Sequence, residues 1–98
     1  MSRDAVIIAE PQEKVSKADL DIMIFALRYT TGRHTYAPKL VCDYIIERIP
    51  RMEVVHQEMV LYEVLKIIGY NAIDPMYRDY VRLRCALQDS LEVANEEG

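Results

Sequence analysis

Nine consecutive residues, Arg28-Tyr29-Thr30-Thr31-Gly32-Arg33-His34-Thr35-Tyr36, hold most of the chemistry this chain can offer. They supply two guanidiniums, an imidazole, two phenol rings and three hydroxyls, with Lys39 just beyond. A phosphate-bearing ligand needs this mixture: cations for its charge, hydroxyls for its oxygens, and an aromatic face if it carries a planar ring. If a helix begins at Thr35, its first amide N–H groups have no intrahelical partner and add partial positive charge at the same place. The candidate ligand-binding residues are therefore Arg28, Tyr29, Thr31, Arg33, His34, Thr35, Tyr36 and Lys39. The same residues also suit a plain interhelical corner, with Arg33 paired to a carboxylate and Tyr36 plugging the core.

Other chemistries find less support. Glu53-Val54-Val55-His56 has the Glu-x-x-His spacing of carboxylate-bridged metal sites in helix bundles. Those sites use the motif twice with two further glutamates, and here it occurs once, so His56 reads as a solvated helical residue. No glycine-rich phosphate loop, Cys-x-x-Cys pair or nucleophile elbow is present. Asp43, Glu47, Glu53 and Glu58 fall at outward helical positions and read as a solvated face, from which no acid–base pair stands out. The expectation is a non-enzymatic protein with no catalytic residue, metal or cofactor.

Composition narrows the class further. Ninety-eight residues make one domain. An apolar fraction of 51% is ample for a core, and the low counts of Gly (3) and Pro (4) argue against a turn-rich β chain. A net charge of −4 disfavours a general electrostatic grip on nucleic acid. Cys42 and Cys85 fall inside apolar helical patterns and read as buried reduced thiols, which suits a cytoplasmic location. Neither a signal peptide nor an apolar run of membrane-spanning length is recognisable.

The elements that must position the central stretch follow from periodicity. Residues 1–15 form a short extended arm, with β-branched residues in an apolar patch from Ala5 to Ala9. Residues 16–98 form a single helical domain. Ser16-Lys17-Ala18-Asp19 resembles a capping box with Asp in the place of Glu. The helix it opens runs to about Thr30 on a stripe of Leu20, Met23, Ile24 and Leu27, and Ile22, Phe25 and Ala26 widen it almost all round. Gly32 stops it. A second helix starts near Thr35 with Pro38 in its first turn and ends at Pro50. A third covers about Arg51 to Ile68, with Met52, Val55, Met59 and Tyr62 on one line and Val54, Leu61, Leu65 and Ile68 on another, and stops at Gly69. Asp74-Pro75 opens a fourth, running to about Ala94. The fold class is all-α: a compact bundle of about four helices with a short extended N-terminal arm. Short connections predict antiparallel packing of consecutive helices. A first helix this apolar predicts a homo-oligomer.

The segment Ile24 to Tyr36 resembles the "RYALGR-x-TY" box of small, mostly uncharacterised proteins encoded by phages and prophages of Gram-positive bacteria. The features that follow the box also match: an apolar helix at Val41 to Ile49, Pro50, a third helix from Glu53 to Ile68, and a final helix opened by Asp74. The chain departs from the pattern at Thr30-Thr31, where the family usually has Ala-Leu, and it lacks a tryptophan near the end of the second helix. The resemblance implies a phage product that antagonises bacterial host defence by binding. The partner would be a small anionic nucleotide signal held at the corner, or a defence protein masked by an acidic surface. The alternative is a small helical DNA-binding regulator, since helix–Gly turn–helix spacing suits it. Asp43 and Glu47 on the candidate recognition helix oppose DNA.

Overall fold

The computed structural model describes residues 14–30 and 36–97, Tyr36 and Glu97 by backbone alone. Four α-helices account for most of them: α1 (Lys17–Thr30), α2 (Tyr36–Arg48), α3 (Val54–Ile68) and α4 (Arg78–Glu97). Two short 3-10 turns, Ile49–Arg51 and Pro75–Tyr77, complete the regular structure. The fold is an all-α bundle, as the periodicity predicts. The N-terminal arm lies outside the described residues except for its last two positions.

Local chemistry explains where the helices start and stop. Ser16 and Asp19 form the reciprocal capping box: the Asp19 amide donates to Ser16 Oγ at 3.1 Å, and the Ser16 amide to Asp19 Oδ2 at 3.4 Å. The carboxylate also sits in the first turn, where the helix dipole favours negative charge. The Gly32 stop lies outside the described residues. Gly69 closes α3 with a φ of +53°, a backbone conformation that disfavours a Cβ, and its amide donates to the Leu65 carbonyl at 2.9 Å. Asp74 Oδ1 accepts from the Met76 amide at 3.0 Å and starts the Pro75–Tyr77 turn that leads into α4.

The third helix begins three residues later than expected. Pro50 does not simply end α2. It leads the Ile49–Arg51 turn, after which Met52 takes an extended conformation. This connection is itself core, since Ile49 and Met52 are buried. Buried Gln57 reaches back from α3 and donates through Nε2 to the carbonyls of Met52 at 3.0 Å and Ile49 at 3.3 Å. Val15 also packs here, its amide donating to the Arg51 carbonyl at 3.0 Å. The arm therefore ends inside the core rather than before it.

The packing is square. α1 packs on α2 and α3, and α4 packs on the same two. Consecutive α2 and α3 lie across the diagonal, contrary to the expectation that short connections make neighbours. The buried connection accounts for this by carrying the chain over the end of the bundle. Each helix contributes a few residues to the centre: Leu20, Met23 and Leu27 from α1, Cys42 and Ile45 from α2, Val60, Val64 and Ile68 from α3, and Tyr80, Leu83 and Leu87 from α4.

The structure decides which residues of α3 turn inward and corrects one expectation about a cysteine. Of the two apolar lines expected on the third helix, Val54, Val55, Met59, Tyr62 and Leu65 are exposed, while Met52 and Ile68 are buried. The inward line is Gln57–Val60–Val64–Ile68, because α3 must face α1 and α4 at once. Cys85, expected to be buried, is exposed, whereas Cys42 is buried. Leu83 and Leu87 take the inward face of α4 and turn Cys85 outward between them.

Candidate functional site

The central stretch is described only at its edges. Thr31, Arg33, His34 and Thr35 lie outside the described residues, as does the side chain of Tyr36. Arg28, Tyr29, Thr30 and Lys39 are placed, and they occupy different surroundings.

Arg28, in the last turn of α1, reaches across to α3. Its Nε donates to Glu63 Oε2 at 3.0 Å and its Nη2 to Glu63 Oε1 at 3.1 Å, a bidentate pair of matched planar groups. The two partners differ in exposure: the Arg28 side chain is 63% exposed and that of Glu63 only 8%. Lys66 approaches the same carboxylate at 3.6 Å and lies 5.0 Å over the Tyr62 ring. The hydrogen bond from Arg28 holds the Glu63 carboxyl below the ordinary glutamate range despite desolvation. The arginine is thus fixed by a buried anion beneath it while its outer side remains in water.

Beside this pair runs an open groove of about 330 Å³, lined by Ile24 and Arg28 of α1 and by Val55, Glu58, Met59, Tyr62, Glu63 and Lys66 of α3. Tyr29 lies outside it, 59% exposed and stacked on Phe25 with ring centroids 6.0 Å apart. Thr30 turns inward. Its hydroxyl lies 2.9 Å from the Ala26 carbonyl and 3.3 Å from the Tyr80 hydroxyl, tying the end of α1 to α4.

Lys39 belongs to a second network. Its Nζ donates to Asp43 Oδ2 at 2.8 Å, one turn along α2. Asp43 Oδ1 accepts from Arg82 of α4 at 2.7 Å, and Arg82 also donates to Asp79 at 3.0 Å. These hydrogen bonds, from Lys39 first and then Arg82, hold the Asp43 carboxyl below its ordinary value. Asp43 therefore forms part of a bridge between α2 and α4 rather than a purely solvated face. Cys42 lies behind it. Burial, reinforced by the Asp79 carboxylate, pushes its thiol up to about 12 against the opposing pull of Arg82.

Of the placed candidates, Arg28 and Lys39 are drawn into separate networks on two sides of the bundle. The residues that give Arg28 its setting, Glu63, Lys66 and Tyr62, were not singled out from the sequence. Only the Glu63–Lys66 spacing of three is a local signal. The partnership with Arg28 spans 35 positions and has no signature in the sequence.

His56 is half-buried rather than solvated. Its Nδ1 is withdrawn from solvent without a hydrogen-bond partner, as are Gln57 Oε1 and Arg84 Nε. Among the described residues, no three of His, Cys, Asp and Glu gather closely enough to hold a metal ion. No described helix is long and apolar enough to cross a membrane.

Fold and geometry together define a small four-helix bundle with a cation-edged groove between α1 and α3. Comparison with protein-family models, curated proteins and solved structures finds no match to this chain.

Proposed function

We propose that this chain is a phage-encoded, non-enzymatic binding protein that antagonises bacterial host defence by sequestering a small nucleotide signal at the α1–α2 corner. The observation that supports the reading best is the setting of Arg28. A buried carboxylate fixes the guanidinium in one orientation at the edge of the corner, and most of the side chain stays exposed. A cation ordered in advance loses little freedom on meeting an anion. Thr31, Arg33, His34, Thr35 and Tyr36 follow it directly in sequence and bring the hydroxyls, second guanidinium and ring that a nucleotide requires. The "RYALGR-x-TY" resemblance supplies the phage context. A DNA-binding role is less favoured, because Lys39 is neutralised by Asp43 on the helix that would have to enter the groove.

Calorimetric titration with a panel of cyclic di- and oligonucleotides tests this reading, together with mass spectrometry of small molecules released from the purified protein by heat. Arg33→Ala should abolish retention and Arg28→Ala should weaken it at least tenfold, with helical content unchanged by circular dichroism. Wild-type protein that retains no nucleotide in either assay overturns the proposal.

A further inference from the structure

The outward line of α3 has a property that its inward line lacks. Reading outward from Tyr62, the positions three and four residues away on either side are chemically matched. Four residues before Tyr62 stands Glu58 and four after it Lys66; three before stands Met59 and three after it Leu65. All of these are exposed: Tyr62 at 64%, Leu65 at 43% and Met59 at 41%, with Glu58 and Lys66 on the rim. Glu58 makes no ion pair with any described residue, although it lines the groove.

We propose that this face binds a second copy of the chain, with the two α3 helices antiparallel about a twofold axis at Tyr62. In an isologous pairing each patch meets itself, so a helix can use only a sequence that is complementary to its own reverse. In this register Tyr62 meets the partner's Tyr62 and Glu58 meets the partner's Lys66, with Met59 and Leu65 covering the two flanks. Each ion pair therefore forms twice. Val55, 52% exposed, extends the apolar surface along the same groove. Tyr62, 64% exposed, still has on the order of 100–160 Å² of ring surface to cover. With Val55, Met59 and Leu65 each about half exposed beside it, the face makes a small interface at the low end of the specific range, below roughly 1,200 Å² in total. The pairing does not rest on the nucleotide reading: most of its residues share the groove with Arg28, but they include none of the corner residues from Thr31 to Lys39.

The test has two arms, both on the full chain. In the first, multi-angle light scattering at micromolar concentration should give an even multiple of 11.4 kDa for the wild type. Glu58→Lys and Lys66→Glu singly should each weaken association about tenfold or more, because each opposes like charges twice. The double variant should recover most of the loss, with circular dichroism confirming that all three variants are folded. In the second arm, Tyr62→Cys in a Cys85→Ser background should form a covalent dimer on mild oxidation, since only an axial residue meets its own copy. Tyr70→Cys, at a position fully exposed but past the end of α3, should not. A wild-type mass of 11.4 kDa, single reversals without effect, or equal crosslinking at both positions would each overturn the proposal.

Discussion

The two ionic networks on either side of the bundle use similar residues with different consequences. Between α1 and α3, the Glu63 side chain is 8% exposed and receives two hydrogen bonds from Arg28. Between α2 and α4, Asp43 is 37% exposed, and its partners Lys39 and Arg82 are 59% and 43% exposed. A carboxylate withdrawn from water depends on its cation, because losing the partner strands an uncompensated charge. A solvated pair loses little when broken, since water replaces the partner. The first network is therefore a structural commitment that also orders a surface arginine. The second is a brace over a seam already sealed by Cys42, Tyr80 and Leu83.

The sharpest contrast to measure is in thiol chemistry. Cys42 lies under the α2–α4 network with its thiol pushed up to about 12, while Cys85 is exposed on α4. At pH 8 a thiol with that value is ionised to only about one part in 10⁴, and the thiolate is the reacting form. Labelling with a thiol-disulfide reagent should show one fast thiol, abolished by Cys85→Ser, and a second that reacts only on unfolding. Two equally fast thiols would mean that the seam opens.

A second measurement asks whether the two sides melt together. Leu83→Ala removes a fully buried side chain from the core that both share and should lower stability by about 2–5 kcal/mol. Probes on either side, such as the environments of Tyr62 and Tyr44, should follow one denaturant transition. Separate transitions would divide the bundle into independent halves.

The smaller effect compares the networks directly. Arg28→Met should lower the melting temperature clearly more than Lys39→Met, and Glu63→Gln added to Arg28→Met should recover part of the loss. Acid provides the same comparison without mutation. Glu63 has a folded value below its unfolded one, so its contribution is complete above the ordinary glutamate value of about 4.3 and is lost as pH falls through the lowered folded value. Glu63→Gln should flatten the fall in stability below pH 4.3 that the wild type shows. Equal acid slopes in the two proteins would remove Glu63 from the account.

Much of the fold was legible because its signals are local. The Ser16–Asp19 box, Gly69 and Asp74–Pro75 each act within a few residues, and all three appear where expected. The face that each helix buries was less legible. Cys85 and the Val55–Met59–Tyr62 line are apolar residues at helical spacing, and periodicity alone does not say which of two apolar stripes turns inward. The candidate site was legible as a composition of residue types in the corner, not as a geometry. Arg28 read as a corner cation, but its orientation depends on a glutamate in another helix.

By itself the sequence determined the helical class, the main helix boundaries and the concentration of ligand-type groups around Arg28–Lys39, because propensity, capping and periodicity operate over one or two turns. Only the tertiary structure decided that α2 and α3 sit on a diagonal, that Glu63 is buried under Arg28, and that an apolar line centred on Tyr62 faces outward. Those outcomes depend on which surfaces compete for a single small core, and that competition is settled between residues far apart in the chain.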